Sequence, residues 1–76
     1  MPNQPVVSGL EFVRVLEGLG YEFLHYRGSH AVLANQAKRR KMSVPCHGNR
    51  PLPKGMLASL LRAAGITADQ LRDLLD

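Results

Sequence analysis

Cysteine is almost missing from these 76 residues: the single Cys46 cannot close an internal disulfide, so a packed core rather than covalent staples must hold the chain. A reducing cytoplasm is the expected location. No tryptophan occurs, and Phe12, Tyr21, Phe23 and Tyr26 are the only aromatic residues, which argues against an extended base-stacking platform. No stretch approaches the roughly 20 apolar residues of a membrane span, and the opening Met-Pro-Asn-Gln-Pro-Val-Val lacks the basic region and apolar run of a signal peptide. No membrane contact is expected. Internal repeats are absent, and the nearest thing to low complexity is the basic run Lys38 to Lys41. The most informative absence is of acids, for none occurs between Glu22 and Asp69. That stretch holds Arg27, Lys38, Arg39, Arg40, Lys41, Arg50, Lys54 and Arg62, a charge of +8, while the two ends carry all six acids with Arg14 and Arg72, a charge of −4. A field of this kind favours a polyanionic partner, nucleic acid or an acidic protein surface.

What is present is globular in character. Hydrophobic residues make up 45% and charged residues 21%, enough for one core, while a chain this short buries only about 60% of its unfolded surface and has no room for two. Residues 1–76 therefore read as a single domain, with residues 1–7 as a flexible lead. Ser8 and Glu11 have the spacing of a capping box, and Phe12, Val13, Leu16 and Leu19 repeat at helical spacing up to Gly20, which predicts a helix over 9–19. From Tyr21 the pattern turns β-like through Arg27, breaks at Gly28-Ser29, and resumes from His30 to Ala34, as in a hairpin with a two-residue turn. A polar loop from Asn35 to Arg39 precedes a third strand at 40–45, and the Gly, Asn and Pro content of 46–53 marks a surface loop. Leu57, Leu60, Leu61 and Ala64 predict a helix over 54–64, stopped by Gly65; Thr67 and Gln70 form a second capping box before a short last helix. The order α-β-β-β-α-α implies a two-layer α+β domain, its meander covered on one face by helices and open on the other.

If Gly28-Ser29 is a two-residue turn, Arg27 pairs with His30 on one face of the sheet and His25 lies diagonally across on that face, at about 7 to 8 Å. An imidazole, titrating near ~6.5 in water, can exchange protons at neutral pH, and a guanidinium can hold a phosphoryl group, which are the needs of RNA cleavage through the 2′-hydroxyl. The same pattern also fits an ordinary half-exposed strand histidine. His25, His30, Cys46 and His47 are all legitimate zinc ligands, yet their spacing matches no structural zinc pattern, and no metal or other cofactor is expected. Cys46 reads as a small packing residue rather than a nucleophile. Lys38, Arg39, Arg40 and Lys41, with Arg50 and Lys54, read either as a contact surface for an RNA backbone or as a solvated, edge-protecting loop.

Ser8-Gly9 at the first helix, Leu16 to Gly20 followed by Tyr21, Arg27-Gly-Ser-His30, Val44 to Asn49, and Leu52-Pro-Lys-Gly55 running to Leu60-Leu-Arg-Ala-Ala-Gly65 together resemble the HicA toxins, in order and over nearly the whole chain. Two positions depart from the family pattern: Asn35 to Lys38 stand where a Pro-Asp-Gly-like turn is usual, and Cys46 stands where an aliphatic residue is common. The resemblance implies a double-stranded-RNA-binding-domain-like fold and an mRNA interferase active in stress response. It also implies His30 as the catalytic residue, within an intact Gly28-Ser29-His30 motif, and a HicB antitoxin as the inhibitory partner. Together with the residues themselves it predicts a metal-independent endoribonuclease acting on mRNA, with Gly28, Ser29, Arg27 and His25 in support of His30. The alternatives from other classes are a non-catalytic RNA-binding module and a subunit that docks an acidic protein.

Overall fold

The computed structural model describes residues 5–75, so the first four residues of the expected lead, and Asp76, lie outside it. The elements follow in the order α1 (Gly9–Gly18), β1 (Glu22–Arg27), β2 (His30–Asn35), β3 (Arg40–Pro45), α2 (Lys54–Ala64) and α3 (Ala68–Leu75). This is the α+β arrangement expected, with a short extra C-terminal helix. Both capping boxes form. The Ser8 N–H donates to Glu11 Oε1 at 2.9 Å and the Glu11 N–H to Ser8 Oγ at 3.1 Å, while Thr67 and Gln70 exchange the same pair of bonds at 2.8 and 3.1 Å.

The sheet is an antiparallel meander, β1-β2-β3. Its helix-facing side is built by Ala31 and Leu33 of β2 and Met42 and Val44 of β3, which pack with Phe12, Val13 and Leu16 of α1, Leu57 and Leu61 of α2, and Leu71 of α3. Of the three leucines of the last helix only Leu71 is buried; Leu74 and Leu75 remain exposed. Tyr21 is the one aromatic of the β1 region to enter the core, while Phe23 and Tyr26 are exposed and stack edge to face at 5.1 Å.

The reason lies in the pairing. Between Phe23 and His25 the register slips by one, so Leu24 has no partner in the ladder; Phe23 opposes Leu33 and Tyr26 opposes Ala31. Directly opposed residues share a face, and the bulge therefore puts Phe23 and Tyr26 on the same side as the core, at its uncovered margin. His25 and Arg27 stay on the open face.

Val7 belongs to the core rather than to a flexible lead. It is 2% exposed, and its carbonyl accepts the Leu52 N–H at 2.7 Å, with Ser8 bridged to Pro51 beside it. Gly9 is buried where α1 begins, and a Cβ there would stand 2.0 Å from the Pro45 carbonyl oxygen, so only glycine lets the helix start against the end of β3. These contacts fasten the 46–53 loop to the front of α1.

Candidate active site on the open face of the sheet

The expected two-residue turn is present, with Gly28 at φ +61°, a backbone region that favours glycine. Arg27 therefore opposes His30, and β2 in turn sets His30 opposite Pro45. One row across the open face reads Arg27, His30, Pro45; the next reads His25, Val32, Ser43; the third reads Glu22, Ala34, Lys41. His25 is thus diagonal to His30, as the spacing predicts. Val32 is 8% exposed although it lies on the side away from the main core, so its neighbours in this grid cover it. His25, Arg27, His30, Lys41 and Ser43 are all exposed.

Two grooves open on this surface. The first, of about 280 Å³, is lined by His25, Arg27, Val32, Lys41, Met42 and Ser43. The second, of about 270 Å³, has His30, His47 and Arg50 as its polar groups and Pro45, Pro51, Leu52, Pro53 and Met56 as apolar walls. His30 stands in the row that separates them, with the Arg27 guanidinium on one side and the second groove on the other. Imidazoles for proton transfer and guanidinia for phosphoryl oxygens make this surface chemically suited to a phosphodiester.

The basic residues divide. Lys41 projects onto the open face and Arg50 lines the groove of His30, whereas Arg40 opposes Asn35 on the helix side and donates from Nη1 to the Ala63 carbonyl at 3.0 Å, near the end of α2. Lys38 and Arg39 form the turn between β2 and β3. There the Lys38 N–H donates to Asn35 Oδ1 at 3.2 Å and the Arg39 N–H to the Gln36 carbonyl at 3.2 Å, with Arg39 at φ +52°. Lys54 opens α2 and is exposed. Cys46 is half-buried against the core, and its thiol donates to the Val44 carbonyl at 3.5 Å.

A family model described as the HicA toxin of bacterial toxin-antitoxin systems matches residues 9–66. The chain belongs to the HicA toxin family. It is accordingly the toxin component of a toxin-antitoxin pair, with an antitoxin as partner, and the family match spans α1 through α2, including every strand and both grooves. No curated protein matches the chain. Among the described residues of this HicA-family toxin, no helix is long and apolar enough to cross a membrane, and no group of three or more His, Cys, Asp or Glu side chains is placed to hold a metal ion. His47 was not among the site residues expected from sequence. The signal for it is the pairing of His30 with Pro45, since a chain that stays extended past Pro45 returns residue 47 to the same face.

Proposed function

We propose that this toxin is an endoribonuclease that cleaves mRNA through the 2′-hydroxyl, with His30 as a proton-transfer residue, and that a HicB-type antitoxin neutralises it by covering the same face. The observation that supports this most is the position of His30, exposed in the row Arg27-His30-Pro45 between two grooves lined by the cations Arg27, Lys41 and Arg50 and, among the lining residues, by no carboxylate. A phosphodiester seated there has an imidazole for the proton and guanidinia for the negative charge that grows on the phosphoryl oxygens. Gly28 and Ser29 support His30 by shaping the turn that aims it, and Arg27 by its charge. His25 faces the neighbouring groove with Lys41, where backbone phosphates on either side of the scissile bond would lie. Arg50, Lys41, Lys38, Arg39 and Lys54 supply further electrostatic affinity. These groups work without a metal, so cleavage should persist in excess EDTA.

The test is purified wild-type protein and His30→Ala on the same mRNA. His30 carries no core packing, so the variant should keep the wild-type melting temperature and lose about 10²-fold or more in cleavage rate. Adding the antitoxin to wild type should raise the RNA concentration needed for half-maximal rate without lowering the rate at saturation. A folded His30→Ala that cleaves as fast as wild type would overturn the assignment. RNA that is retarded on a gel but never shortened would instead identify a binding module.

A further inference from the structure

Cleavage through the 2′-hydroxyl moves two protons. One leaves the 2′-oxygen as it attacks phosphorus, and another must reach the 5′-oxygen as its bond to phosphorus breaks. His30 can serve one of these events. Resting on the ribonuclease reading, we propose that His47 serves the other and is the second catalytic residue of the site.

His47 is exposed and lines the same groove as His30. Among the described residues that line that groove, these two carry the imidazoles; the others are Arg50, whose guanidinium is a donor without an acceptor, and walls of proline, leucine and methionine. No carboxylate lines it among the described residues. His25 is the rival donor, but it lines the other groove with Val32 and Lys41.

The main chain holds His47 where it is. The Cys46 N–H donates to the Ser29 carbonyl at 2.8 Å, carrying the sheet ladder one residue past Pro45 and tying the loop to the turn just before His30. The His47 carbonyl accepts the Arg50 N–H at 3.2 Å, which closes a turn and brings Arg50 to the same groove. Two residues further on, the Leu52 N–H donates to Val7. Each of these bonds is made by backbone atoms, and none of them engages the imidazole.

The reaction balances with the two histidines alone. One imidazole takes the proton from the 2′-hydroxyl while the 2′-oxygen forms its bond to phosphorus; the other, entering as imidazolium, gives its proton to the 5′-oxygen as that bond breaks. The products are a 2′,3′-cyclic phosphate and a 5′-hydroxyl. Arg50 and Arg27, on either side of His30, are placed to stabilise the charge on the non-bridging oxygens between these steps.

The decisive experiment uses one RNA oligonucleotide with a mapped cleavage site, made with either oxygen or sulfur at the bridging 5′ position. Sulfur leaves without a proton, so an enzyme lacking its general acid regains activity on that substrate, whereas one lacking its base does not. His30→Ala and His47→Ala should each cleave the oxygen substrate about 10²-fold or more slowly, and one of the two variants, but not both, should recover most of its loss on the sulfur substrate. His47→Gln, which keeps the loop's backbone bonds, should behave as His47→Ala does and melt with wild type. Wild-type cleavage of the oxygen substrate by either folded His47 variant would overturn the proposal, as would failure of the sulfur substrate to rescue either histidine variant, the sign of a purely structural His47. Failure of wild type to cut either oligonucleotide would refute the ribonuclease reading itself, a result distinct from both.

Discussion

At the scale of single residues, Gly9 decides more than its size suggests. Its hydrogen takes the space that a methyl group would need against the Pro45 carbonyl, and Pro45 is the residue opposite His30 and two before His47. A small change at the start of α1 is therefore transmitted to the groove about 40 positions along the chain. Gly9→Ala should lower stability by about 1–3 kcal/mol, the usual cost of overpacking, as read by urea denaturation. On the ribonuclease reading the surviving folded fraction should also cleave more slowly than wild type, because relief of the clash moves the end of β3. Full activity per folded molecule would show that the strand end tolerates displacement. Arg39 is the opposite case: a bulky residue held at φ +52°, where L side chains cost about 1–2 kcal/mol, with the Asn35 side chain offering partial compensation through the Lys38 N–H.

At the scale of elements, the readable parts were those with local signatures. Ser8 with Glu11 and Thr67 with Gln70 announce two helix starts through contacts three residues apart, and Gly28-Ser29 sets the pairing of Arg27 with His30. The Leu24 bulge was not legible, because nothing in Glu-Phe-Leu-His-Tyr distinguishes a strand that slips from one that alternates. The partnership of His30 with the 46–53 loop was hidden for a different reason: it depends on the register between β2 and β3, which the intervening turn does not disclose. That register also divides the basic run, since neighbouring positions of β3 face opposite sides. Arg40 serves the end of α2 and Lys41 faces the open surface. Arg40→Gln is accordingly expected to lower the melting temperature through loss of about 0.5–1 kcal/mol, with RNA affinity nearly unchanged. Lys41→Gln should do the reverse, leaving the melting curve alone and flattening the dependence of log affinity on log salt by about 0.7, one phosphate contact's worth. Identical behaviour of the two variants in both assays would refute this division of labour.

At the scale of the whole molecule, all the acids lie in the first and last segments of the chain, while of the cationic residues between them Arg27, Lys41 and Arg50 line the two grooves. On the ribonuclease reading, RNA and an antitoxin with an acidic surface would answer to the same field and should compete. One further consequence comes from the bond between Leu52 and Val7. It joins residues 45 positions apart, whereas the Arg27-His30 hairpin closes over two. Contacts so distant in sequence form late, and hairpins form in about 1–10 μs. Pulse-labelled refolding should find the Val32 and Leu33 amides protected before that of Leu52; simultaneous protection would contradict the order. On the ribonuclease reading, the newborn chain then passes through an interval in which it is folded enough to be recognised by its antitoxin but not yet complete enough to cut.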